Sequence, residues 1–148
     1  MGVYRFDELI EQTRRVAAEY RRETGKTLAV SGELAVADAV NYLNLSPAPD
    51  DALGFDAVDQ QGRRVLIKGR VVFDERKGGH RLGQLKLERE WDLLAMVLLD
   101  ENYRTTEIFA CERAAIEAHL DAQQPNKRGS LTIARLKIIG ERVWCEEA

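Results

Sequence analysis

The chain has 148 residues, 45% of them hydrophobic and 32% charged, and a formal net charge of −3. That length suits one domain with its own core, and the mixed charge and ordinary apolar fraction argue against global disorder. No apolar run reaches the roughly 18 residues a bilayer span needs, so no membrane partner is expected.

The opening stretch MGVYRFDELIEQTRRVAAEY is charged throughout, unlike a secretory signal. Cys111 and Cys145 stand outside any metal-ligand pair. Both features predict a cytoplasmic protein. Two histidines, His80 and His119, are too few for a multi-histidine zinc site.

Residues 4–24 carry Phe6, Leu9, Ile10, Thr13, Val16, Ala17 and Tyr20 at helical spacing, and Gly25 is placed to stop that helix. Ser31 reads as the N-cap of a second helix over 32–44, with Leu34, Ala37, Val40 and Leu43 as its apolar positions. SPAPDD, 46–51, reads as a loop. FDAVD (55–59) and RRVLIKGR (63–70) read as a hairpin around Gln60-Gln61-Gly62. A three-residue loop ending in Gly suits a type I turn followed by a left-handed residue.

ERKGGHRLG (75–83) reads as a glycine-rich loop, and DLLAMVLLD (92–100) as a strand buried on both faces. YRTTEIFAC (103–111) follows as another strand, then a helix over 112–123. The tail allows either a short helix capped by Ser130 or a strand through LTIARLKII, then a strand at RVWC, 142–145. The order predicts an α/β fold, bordering on α+β, with a central sheet flanked by helices. One domain is expected over 1–148: a first helix in 1–30, a core in 31–111, and a C-terminal helix and tail in 112–148.

Charge is uneven along the chain. Residues 63–89 hold nine basic side chains against Asp74, Glu75 and Glu88, so the remainder is strongly acidic. Such a segment can present an anion-binding face, or it can be an ordinary solvated hairpin surface.

The hairpin carries the sharpest inference. With a loop at 60–62, Asp59 opposes Arg63, Ala57 opposes Val65 and Asp56 opposes Leu66. Alternation then places Asp56, Leu66 and Lys68 on one face. A carboxylate and a lysine there suit a metal ligand paired with a group that stabilises phosphate charge. They equally suit a half-exposed ion pair of little energetic meaning. Glu33, in the first turn of the second helix, suits the helix dipole, and could also look toward that face.

SGELAVADAVNYL, GFDAVDQQGRRVLIKGR and WDLLAMVLLDENYRTTEIFA together resemble the PD-(D/E)xK phosphodiesterase superfamily, the restriction-endonuclease-like fold. Its pattern is a helical glutamate, an aspartate on the first strand of a hairpin, and acid-x-lysine on the second. Glu33, Asp56 and Lys68 match three of these positions, and the likeness covers roughly residues 30–110. Leu66 stands where the family has its second acid, and a leucine cannot hold a cation.

The resemblance implies a central mixed sheet and metal-dependent hydrolysis of nucleic acid, DNA in the first instance. Asp56 and Glu33 would hold Mg²⁺ or Mn²⁺, and Lys68 would act on the attacking water and the phosphate. Arg64, Arg70, Lys77 and Arg81 would contact the nucleic-acid backbone, and a homodimer is expected by analogy. Leu66 opens a second possibility: a non-catalytic binding module on the same fold, as in a defence or repair system. A third is an unrelated α+β domain with a surface Asp56–Lys68 pair.

Overall fold

The computed structural model describes residues 3–73, 81–85, 87–121 and 130–146. Helix α1 (Val3–Thr24) ends where Gly25 takes φ +72° and donates its N–H to the Arg21 carbonyl at 2.8 Å. This is the glycine stop that the sequence suggests. Helix α2 (Ser31–Tyr42) follows. Its N-cap is Val30, without a side-chain capping bond, so Ser31 is inside the helix and not its cap.

Six strands form one mixed sheet: β1 (Ser46–Pro47), β2 (Ala57–Val58), β3 (Arg64–Val71), β5 (Leu93–Leu99), β6 (Thr105–Glu112) and β8 (Glu141–Cys145), in the spatial order β1-β2-β3-β5-β6-β8. Neighbours are antiparallel except β3 and β5, which run parallel with Val65 beside Leu93. A separate two-stranded ribbon pairs β4 (Arg81–Gln84) with β7 (Ser130–Thr132). Helix α3 (Arg113–Asp121) follows β6, and α4 (Ile133–Ile139) follows β7. The fold is α/β, a mixed sheet with flanking helices.

The hairpin of β2 and β3 has the expected loop. Gly62 takes φ +82°, Asp59 receives its N–H, and Ala57 opposes Val65. Three segments differ from expectation. Residues 81–83, expected in a glycine-rich loop, are strand in β4 because they pair with β7, and the rest of that loop lies outside the described residues. Ser46 and Pro47 add a strand to β2, because the chain returns along its outer edge. In the tail both alternatives hold in part: 130–132 is strand and 133–139 is helix, and the cap is the Thr132 hydroxyl, which accepts from Arg135 N at 3.1 Å.

Strand β5 is buried on both faces because each face meets a different layer. Ala95, Val97 and Leu99 join Val65 and Ile67 beneath α1 and α2. Leu94, Met96 and Leu98 join Trp91, Ile116, Leu131 and Leu136 on the other side. The helical layer sits close. A Cβ on Gly69 would lie 2.5 Å from the Ala35 Cβ and 2.9 Å from the Ser31 carbonyl. Small residues at 35 and 69 therefore set how near α2 approaches β3. At the far end of α2, Tyr42 stacks on Trp144 of β8 with ring centroids 4.2 Å apart.

The helical layer also holds a buried ion pair. Arg14 of α1 and Asp38 of α2 are 5% and 6% exposed. Arg14 donates to both Asp38 oxygens, at 3.1 and 2.9 Å, and to the Tyr103 carbonyl. The Thr105 hydroxyl donates to Asp38 Oδ2 at 2.6 Å. Two helices and the start of β6 thus converge on one carboxylate. Removing it leaves a desolvated guanidinium without its counter-ion. Asp38→Ala is expected to lower stability by about 3–5 kcal/mol, read from urea unfolding at neutral pH. A loss below 1 kcal/mol would show that water reaches and screens Arg14.

Candidate functional site

Alternation along β3 separates its side chains. Val65, Ile67 and Gly69 face the helices, and Leu66 packs toward the opposite layer. On that opposite side lies an open cleft of about 330 Å³, lined by Leu53, Phe55, Asp56, Leu66, Lys68, Arg89 and Trp91, with Ala52 and Gly54. Asp56, Leu66 and Lys68 therefore share one cleft.

Asp56 does not sit in the ladder as the hairpin register predicts. Its N–H donates to the carbonyl of Val65, the residue that Ala57 already opposes. The strand is therefore displaced by one residue at Asp56. The carboxylate takes over the missing backbone acceptor: Oδ2 accepts from Ile67 N at 2.8 Å. Asp56 thus has a structural task at the sheet edge, and one of its oxygens is committed to it. Lys68 is half-buried and has no ion pair with any described residue.

Arg89 enters the cleft from the segment before β5. A Cβ on Gly54, which has φ +95°, would meet the Arg89 Cβ at 2.4 Å. The two loops pack backbone against side chain, and only glycine fits both the conformation and the space. Arg113 of α3 fixes the same segment: it donates to the carbonyls of Leu87, Arg89 and Trp91. Its guanidinium lies 4.8 Å from the Trp91 ring centre. One arginine thereby orients another.

The remaining residues expected at the site lie elsewhere. Glu33 is exposed in the first turn of α2, across the sheet from Leu66 and Lys68, and does not line the cleft. Arg64 is held by carboxylates. Its Nε and Nη2 reach Asp92 Oδ2 and Oδ1 at 3.0 and 3.1 Å, and Nη1 reaches Glu90 at 3.2 Å. Arg70 is exposed near the end of β3. Arg81 begins β4, with its side chain outside the described residues, and Lys77 lies wholly outside them.

Sequence reading overlooked Arg89 and Arg113. Both lie in or beside the expected elements, yet only the folded loop brings Arg89 into the cleft and sets Arg113 against the backbone that carries it. Cys111 is buried, and burial pushes its thiol up, which removes it as a nucleophile at neutral pH.

Magnesium prefers near-octahedral oxygen donors, commonly with one or two carboxylates. Asp56 has one oxygen on Ile67, Leu66 has no donor, and Glu33 is outside the cleft. Among the described residues no three His, Cys, Asp or Glu side chains gather as a metal site. These residues do not fit a tightly held divalent ion. What they do offer is a cationic pair, Lys68 and Arg89, against an apolar wall, with a single carboxylate beside it.

No family model matches the chain, and no curated protein matches it.

The Arg64–Asp92 clamp has a pH signature. Hydrogen bonds from the Arg64 side chain and then its backbone N–H hold the Asp92 carboxyl down to about 2, against 3.8 ordinarily. A carboxyl lowered on folding contributes stability above its unfolded pKa and loses it as pH falls through the folded one. Asp92→Asn should therefore be less stable than the parent near neutral pH. The gap should narrow between pH 3.8 and about 2. Denaturant midpoints across that range read it, and a constant gap would mean the clamp titrates alike folded and unfolded.

Proposed function

We propose that the chain is a nucleic-acid-binding domain of nuclease-like form. The Asp56–Lys68 cleft receives a phosphate of the backbone. The observation that carries this reading is the placement of Lys68 and Arg89 in one concave, partly apolar cleft. Lys68 acts as a point charge, and the Arg89 fork binds two phosphate oxygens. The apolar side, with Phe55 and the exposed Leu53, supports a sugar or base edge. The second Asp56 oxygen accepts from a hydroxyl or amine of that nucleotide, and its charge keeps the affinity moderate.

The resemblance to the PD-(D/E)xK superfamily supports this choice of ligand. A hydrolytic reading with Mg²⁺ or Mn²⁺ has one observation in its favour: the hairpin aspartate and the lysine do share a cleft. Loss of the second acid to Leu66 favours binding over cutting.

The test is fluorescence anisotropy with duplex DNA, single-stranded DNA and RNA over a series of salt concentrations, beside a cleavage assay with Mg²⁺, Mn²⁺ or chelator. Wild type should bind with steep salt dependence and leave the strands intact. Lys68→Ala should weaken binding about tenfold and reduce the salt slope by about one. Asp56→Asn should bind as tightly or tighter, since a like charge beside the phosphate is gone. Absence of salt-sensitive binding to all three ligands, or indifference to Lys68→Ala, would refute the proposal. Metal-dependent cutting abolished by Asp56→Asn would put the hydrolytic reading in its place.

Leu66→Glu makes a complementary test by thermal melting and cleavage. Restoring an acid two residues before Lys68 is expected to confer Mn²⁺ binding, read as a rise in melting temperature with added metal. Cleavage would follow if the rest of a nuclease site survives. No metal effect would show that the displaced strand at Asp56 keeps the two carboxylates from one ion.

A further inference from the structure

The molecule has a second cationic cleft, on the helical side. It holds about 340 Å³ and is lined by Arg14, Arg15, Ala18, Glu19 and Arg22 of α1, with Asn102 and Arg104 from the turn into β6. From these residues we infer a second site, for a phosphate group, that does not depend on the Asp56–Lys68 cleft.

Four guanidinium groups face one lining carboxylate, Glu19. Two further acids stand behind them. Asp38 is committed to Arg14, and Glu11 sits 3.0 Å from Arg104 and 3.9 Å from Arg15. With those two counted, the cluster still keeps a net positive charge.

The arginines divide into fixed and movable. Arg14 is pinned by Asp38 and the Tyr103 carbonyl, so it cannot turn away. Its Nε is buried and has no hydrogen-bond partner among the described residues; the nearest acid is Glu11 Oε2 at 3.6 Å. That nitrogen is closed off from solvent, so Arg14 serves the cleft as a fixed positive charge and not as a donor through Nε. Arg15 and Arg104 are 74% and 56% exposed at the side chain, and among the described residues Arg22 holds only Asn102 Oδ1, at 3.3 Å. These three can close on a ligand. Ala18 leaves the space between them open.

Several planar forks around one small cavity suit a multiply charged tetrahedral oxyanion better than a carboxylate. Each fork takes two oxygens, and the charge is shared among donors. The ligand is therefore a phosphate group, either free in a small molecule or carried on a nucleic-acid backbone.

Titration calorimetry of the full chain with inorganic pyrophosphate, at ionic strength held with potassium chloride, tests this. Wild type should bind saturably. Arg22→Gln/Arg104→Gln should weaken binding about tenfold or more. Lys68→Ala should keep the saturable pyrophosphate binding that the arginine variants lose, and lose only the contribution of the Asp56–Lys68 cleft, which separates the two sites. Arg15→Gln/Arg22→Gln, at two exposed helix positions, repeats the test should the first pair disturb folding. Displacement of pyrophosphate by a short single-stranded oligonucleotide would name the nucleic-acid backbone as the source. Saturable binding without displacement would name a free phosphate compound. No saturable binding, binding unchanged in both double variants, or an equal loss in Lys68→Ala would overturn the inference.

Discussion

One strand, β3, must satisfy two environments, and the period of two is what permits it. Val65, Ile67 and Gly69 belong to the layer beneath α1 and α2. Leu66 and Lys68 point to the other side, where the cleft opens. A slip of one residue would bury Lys68 under the helices and expose Val65 and Ile67. The register is therefore held from both edges. Gly62 closes the hairpin with β2, and the parallel ladder with β5 runs from Val65 beside Leu93 to Val71 beside Leu99. The close pass of Ala35 over Gly69 adds a steric lock, because only glycine lets α2 come so near.

The same register explains the fate of the basic segment. Parallel pairing of Val65 with Leu93 puts Arg64 next to Asp92, and the Asp92 N–H donates to the Arg64 carbonyl at 2.8 Å. The carboxylate then folds back onto both the N–H and the guanidinium of Arg64. A residue that looks like a phosphate ligand in the linear sequence is spent on joining two strands. Arg113 is spent likewise on the carbonyls of the segment before β5. Linear charge density thus overstates the cations available to a ligand. In this cleft the two that matter are Lys68 and Arg89.

Local signals in the sequence translated directly into structure. Gly25 and Gly62 stop and turn the chain, and the run 92–100 is apolar without alternation because both its faces are covered. Signals that depend on distant partners were not legible. Ser31 looks like a cap, yet Val30 occupies that position. Asp56 lies on the expected face but is displaced by one position in the ladder. Its carboxylate replaces a backbone acceptor, which no pattern of hydrophobicity reveals. Nor could the sequence show that Arg14 and Asp38 are buried together. Arg14 lies among charged and polar positions, and Asp38 interrupts the apolar run 34–40, but only the packing of α1 on α2 brings the two together out of water. Glu33 fits a motif by order, whereas its position in space is decided by which face of the sheet α2 covers.

The displaced strand at Asp56 bears most on chemistry. A carboxylate that must accept the Ile67 N–H cannot reorient freely around a cation. A metal site built there would need a second acid to supply the lost flexibility and charge, and the position that could supply it is Leu66, which instead packs toward the second core layer. The two features reinforce each other: with an apolar side chain at 66 the cleft wall is drier, and a lone ion beside Asp56 would be poorly solvated and under-coordinated. A phosphate has easier terms. It brings its own oxygens, needs only donors, and finds them in Lys68 on β3 and in Arg89, on a segment that Gly54 and Arg113 hold in place. The arrangement of this cleft is thus better matched to holding a backbone than to breaking it.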